Sequence, residues 1–209
     1  MTTASLEIPA AGVVLDADVF VPPDADGVVL FAHGSGSGRF SPRNRYVAGE
    51  LQRAGLATVL ADLLTPAEER DQDLRFAIDL LAVRVIALVD WLGDHEPTSA
   101  MTVGLFGAST GAAAALIAAA ARPSAVDTVV SRGGRPDLAG EFLRLVHQPT
   151  LLIVGERDTE VLALHRIALQ KLHGDAQLVI VPGATHLFEE PGALEDVARL
   201  AVEWFRTHL

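Results

Sequence analysis

Apolar positions follow two rhythms along the chain. Short continuous runs of Val, Leu, Ile and Ala recur, and between them apolar residues return every three or four positions. The first rhythm marks strands covered on both faces, the second amphipathic helices. Runs at Ser5–Ile8 and Val13–Val21 come first, parted by a Pro-Ala-Ala-Gly turn and by no helix, which predicts an antiparallel edge. Val28–Ala32 and Leu56–Leu63 follow, then Thr102–Phe106, Val126–Ser131, Thr150–Val154 and Gln177–Val181. Ser41 as N-cap, Pro42 at the first position and Gly55 as stop delimit one helix between the third and fourth runs. Thr65-Pro-Ala-Glu68 reads as a capping box ahead of a long helix from about Asp73 to Trp91, and a last helix covers about Gly192 to Thr207.

Eight strands alternating with helices predict an α/β fold: a mostly parallel, doubly wound sheet with helices on both faces, in one domain over residues 1–209. Ligands of such sheets bind at the carboxyl ends of strands. Those ends are His33-Gly34, residues 107–111, residues 155–158 and residues 182–186.

Residues 107–111 read Gly-Ala-Ser-Thr-Gly, after an apolar strand and before an alanine-rich helix. This is the setting of a G-x-S-x-G elbow, in which small neighbours permit a sharp turn that lifts the serine hydroxyl above the sheet. Serine needs a base within hydrogen-bond reach. Of seven histidines, His186 follows the last strand in a glycine-containing loop, whereas His95, His147, His165, His173 and His208 fall in or beside helices, where surface roles are expected. The acid that orients the imidazole is assigned to Asp158, just past the seventh strand, with Asp137 in reserve. An N-capping role is the competing use of Asp158. Oxyanion donors are the amides of Thr110, next to the nucleophile, and of Ser35, in the Gly-rich loop after the third strand.

Composition removes other chemistries. There is no cysteine, so thiolate metal sites, disulfides and a cysteine nucleophile are excluded. The net charge of −11 argues against nucleic acid as a partner. Neither a Walker pattern nor G-x-G-x-x-G is present. With no basic-then-apolar leader and no span of membrane length, the expected setting is cytoplasmic and free of the membrane. No cofactor and no metal is expected. The high mean hydropathy allows a homodimer without requiring one.

With "FAHGSGSGRFSPRNRYVA", "GLFGASTGAAAAL", "SRGGRPDLA", "LLIVGERD" and "VPGATHLFEEPG", the chain resembles the α/β-hydrolase superfamily over nearly its whole length. Within it, the chain resembles the small dienelactone-hydrolase-like group without a sizeable lid. The resemblance implies Ser109 as nucleophile, Asp158 as acid, His186 as base, and Ser35 and Thr110 as oxyanion donors. Dienelactone hydrolases use a cysteine nucleophile; serine stands in its place here, which points to a serine esterase. Relatives of this type also occur joined to a phosphoribosyltransferase domain.

The expected function is therefore a serine hydrolase of small carboxylic esters or thioesters, working through an acyl-enzyme. The rival readings are a non-hydrolytic protein that binds an anionic metabolite, and acyl transfer to an acceptor other than water. Arg39, Arg45, Arg132 and Arg135 should lie on the carboxyl-end rim, where they are placed to receive a carboxylate or phosphate of the substrate. Local pairing with Asp62, Glu69 or Asp137 competes for them.

Overall fold

The continuous apolar runs become the middle of a single twisted sheet. The computed structural model describes residues 3–209, and among them eight strands pair in the order β1-β2-β4-β3-β5-β6-β7-β8. They are β1 (Ala4–Ala10), β2 (Val13–Phe20), β3 (Gly27–Ala32), β4 (Ala57–Ala61), β5 (Thr102–Ala108), β6 (Thr128–Arg132), β7 (Thr150–Gly155) and β8 (Ala176–Val181). β2 runs antiparallel to β1 and β4, while every other pairing is parallel. β3, β4 and β6 are buried at every position, as apolar strands sandwiched between helices must be.

Helices cover both faces. On one side, α3 (Ile78–Asp94), α4 (Thr110–Ala121) and part of α5 (Thr159–Leu169) bury Leu88, Leu116 and Ala168 in one core. On the other, α1 (Pro42–Arg53) and α6 (Ala193–His208) pack Leu51, Val197 and Phe205 against Phe31 and Phe106. α4 carries six alanines that are fully buried. Side chains this small let the helix backbone lie close to the sheet beneath the candidate elbow. A 3-10 segment at Pro136–Leu145 follows β6, and no large lid is inserted there.

One expected helix is divided. The Thr65–Glu68 box does form: Thr65 N donates to Glu68 Oε2 at 2.8 Å, and Glu68 N to Thr65 Oγ1 at 3.3 Å. It caps only a 3-10 turn, Glu68–Arg70. Asp71 then caps a separate one-turn helix, α2 (Gln72–Arg75), through the Asp73 amide. Phe76 and Ala77 leave the helical region, and the long helix restarts at Ile78. The Thr65 box and the Asp71 cap, six residues apart, each start a turn of their own, whereas α3 restarts after Ala77 without a side-chain cap.

Candidate active site

Parallel register brings the sequence-predicted strand ends to one edge. Ala32 pairs with Gly107, Ala108 with Arg132, Arg132 with Ile153, and Gly155 with Val181. Ser109 is the one residue between β5 and α4. Its φ of +51° and ψ of −124° belong to a region that residues with a Cβ avoid. Holding it there costs about 1–3 kcal/mol, so the surroundings must fix it. The Ser109 amide donates to Arg132 O at 3.4 Å, and its carbonyl accepts from Arg135 N at 3.0 Å. A methyl group on Gly107 would run into the backbone of Ala112, and one on Gly111 into the carbonyls of Ala32 and His33. The two glycines thus allow β3, β5 and α4 to close around the turn. Gly34 lies against the serine itself, since a methyl there would stand 2.8 Å from Ser109 Cβ.

Asp158 and His186 meet. The imidazole Nδ1 donates to Asp158 Oδ2 at 2.6 Å, which leaves Nε2 as the basic nitrogen. Asp158 occupies the N-cap position of α5, yet its side chain makes no capping bond. The carboxylate is committed to the histidine instead. The two loops are fastened to each other: Glu156 N donates to Val181 O at 3.0 Å, Arg157 N to Ala184 O at 2.9 Å, and Gly183 N to Glu156 Oε2 at 2.7 Å. Glu156, the other acid after β7, is therefore a latch. Asp137 is held by Arg135 in a bidentate pair at 2.7 and 2.8 Å. The stretch after Arg132 connects the elbow to the base, because a methyl on Gly133 would lie 3.1 Å from His186 O.

The Ser35 amide points at the start of α4, where it donates to Thr110 Oγ1 at 2.9 Å. Behind it, His33 is buried and fixed in one tautomer. Its Nδ1 donates to Gly34 O at 3.0 Å, and its Nε2 accepts from Leu63 N at 2.9 Å. Burial pushes its pKa below the ordinary 6.5, which keeps the ring neutral as both bonds require. This bracing role was not singled out in the sequence; a histidine at a strand end, directly before a Gly-rich loop, was the available sign. His165 also departs from expectation. It is fully buried on α5, with Nδ1 donating to Val161 O at 2.8 Å, and burial lowers its pKa too.

Of the rim arginines, three are engaged by acids. Arg39 pairs with Asp62 and with Asp16 at 3.1 Å. Arg45 pairs with Asp18 at 2.9 Å, and Arg135 with Asp137. Arg132 differs: it is 7% exposed, and its Nη2 donates to Asn44 Oδ1 at 3.3 Å. A cleft of about 780 Å³ opens beside Ser35 toward the β1–β2 edge, with Asp16, Asp62, Phe40 and Leu64 among its walls. Among the described residues, no helix is long and apolar enough to cross a membrane.

Comparison with known proteins fits this geometry. A model of the alpha/beta hydrolase domain matches residues 25–199. The crystal structure of a dienelactone hydrolase from Anabaena variabilis superposes with a TM-score of 0.98 at 54% identity, covering 100% of this chain and 98% of that one. Est1E from Butyrivibrio proteoclasticus shares the fold at 16% identity, with a TM-score of 0.84 over 98% of both chains. A protein of Mycobacterium tuberculosis described as a putative phosphoribosyl transferase is 55% identical over 204 residues. That match covers 98% of this chain but 46% of the relative, so the chain spans less than half of that protein's length. With its sheet order, its elbow and the matching domain model in agreement, the chain belongs to the α/β-hydrolase family.

Proposed function

We propose that the protein is a serine hydrolase that cleaves small carboxylic esters or thioesters through an acyl-enzyme. The observation that carries this reading is the 2.6 Å bond between His186 Nδ1 and an Asp158 carboxylate that caps nothing. Helix geometry alone gives Asp158 no reason to turn away from the amides of α5. Orientation of a general base gives it one. The likeness to the Anabaena dienelactone hydrolase supports ester chemistry.

Ser109 Oγ attacks the acyl carbon while His186 Nε2 takes the hydroxyl proton, and Asp158 holds the ring and stabilises the imidazolium. The carbonyl oxygen becomes an oxyanion that accepts from the Thr110 and Ser35 amides. Ser35 already has an acceptor in Thr110 Oγ1, so it exchanges that hydroxyl for the oxyanion as negative charge develops. Collapse expels the alcohol or thiol, which takes the proton from His186. Water, activated by the same imidazole, then attacks the acyl-enzyme, and the acid leaves with Ser109 restored. The missing lid suits small dissolved substrates.

A fluorophosphonate probe should label the native protein and leave Ser109→Ala unlabelled. Hydrolysis of short 4-nitrophenyl esters should fall by about four orders of magnitude or more in that variant. Equal labelling of the two proteins would exclude the mechanism.

A further inference from the structure

Arg132 poses a physical problem that the hydrolytic mechanism leaves unsolved. Its guanidinium is buried between the first turn of α1 and the ring of Phe188, whose centroid is 5.9 Å from Cζ. The side chain donates to the neutral amide of Asn44, its Nε has no partner, and it makes no ion pair with an acid among the described residues. The nearby charge is of the same sign. Burial, and then the Arg43 guanidinium, hold the Arg132 pKa down to about 10. Arg43 is only loosely held, by Glu189 Oε1 at 3.4 Å, and its buried Nε also lacks a partner. The first turn of α1 carries no acidic residue to offset its positive end. A desolvated cation beside a second cation is costly unless an anion joins them.

This cluster adjoins the reacting groups. Arg132 O accepts from the Ser109 amide, Gly133 abuts His186, and Phe188 lies two residues beyond His186. Arg43 also stands at the junction of two hollows, one beside Ser35 and one beside Phe188 and Glu189. We propose that Arg132 and Arg43, with Asn44, form a subsite for an oxyanionic group, carboxylate or phosphate, that the ester substrate carries apart from its reacting carbonyl. Arg43 lines both hollows and presents N–H donors to such a group, while Arg132, which lines neither, adds its charge beside it. The substrate part of this inference rests on the hydrolase reading above; the anion site itself does not.

Two measurements separate the two claims. The first compares kcat/KM on esters matched except for a terminal methyl, carboxylate or phosphonate, placed on the acyl or the alkoxy side. The native protein should favour one of the anionic esters by about tenfold or more, the worth of one charge-assisted hydrogen bond. Arg43→Gln and Arg132→Met should bring that ratio close to one, and Arg132→Lys should restore part of it. Which terminus is preferred tells carboxylate from phosphate. An unchanged ratio in both variants, or a native preference for the methyl ester, would overturn the subsite. The second measurement is the rise in Tm of the native protein with inorganic phosphate or glutarate, which should vanish in Arg43→Gln. If no ester is turned over while that Arg43-dependent rise persists, the hydrolase reading fails and the anion site stands. If neither anion raises Tm and no charge preference is seen, the anion site falls, whatever the rate on neutral esters.

Discussion

Arg84 and Arg132 are both buried, and the fold serves them differently. Arg84, on α3, donates to the carbonyls of Ala10 and Ala11 at 2.6 and 2.9 Å and to Glu68 Oε1 at 2.9 Å. It ties the turn between β1 and β2 to the Thr65–Glu68 box. Arg132, at the carboxyl end of β6, has one long bond to a neutral amide. Both leave Nε without a partner, so the contrast lies in the terminal nitrogens and in the presence of a carboxylate. A buried cation with its counter-ion supplied by the chain is a structural tie. One without it is stabilised from outside the chain or tolerated at a cost, and the latter stands beside the candidate nucleophile.

Removing each cation should break the contrast most sharply. Arg84→Met should lower unfolding free energy by about 3–5 kcal/mol, because it strands Glu68 and two carbonyls. Arg132→Met should change it by less than about 1 kcal/mol, because relief of a buried cation that has no carboxylate offsets the loss of its one long bond to Asn44. Urea denaturation of the two variants checks both, and a larger loss for Arg132→Met would reverse the argument. A smaller effect should follow from giving Arg132 what Arg84 already has. Asn44→Asp places a carboxylate at 3.3 Å from the guanidinium and in the first turn of α1. It should raise stability by about 1 kcal/mol and weaken the effect of added phosphate on Tm.

Acid should probe the site end further, with the smallest effect. His33 and His165 are both held below the ordinary 6.5 by burial, so folding keeps them neutral. Their contribution is fully present above pH 6.5 and is lost as the pH falls from there through their lower folded-state values. Tm should therefore decline on acidification below about pH 6.5. His33→Gln should flatten that decline in part, because His165 contributes in the same sense. A Tm that holds steady through this range would show that the His33 bridge between Gly34 and Leu63 survives protonation.

What was legible in the sequence was whatever had a local signature. Continuous apolar runs marked the strands, Ser41 and Pro42 marked the start of α1, and Gly107 to Gly111 marked the turn that holds Ser109. The pairing of Asp158 with His186 was legible through chain order, since each follows a strand of one parallel sheet. What needed three dimensions was the choice among partners. Arg39, Arg45, Arg132 and Arg135 look alike in one dimension, yet three find aspartates and one finds Asn44 and Phe188. The burial of His165 was hidden because the 3-10 segment Pro136–Leu145 packs against α5, which no local pattern announced. The break at Phe76–Ala77 was hidden as well, since neither residue is a helix breaker.

The fastening between the loops after β7 and β8 has a kinetic corollary. β8 is the last strand of the sheet, bonded to a neighbour on one side only. Because Glu156, Arg157 and Gly183 bind across the two loops, the backbone segments that carry Asp158 and His186 cannot part unless those bonds break. Separation of the two loops requires the sheet margin itself to fray. The Arg157 and Gly183 amides should then exchange with solvent together, and their common exchange rate would report how often the loops that carry Asp158 and His186 come apart.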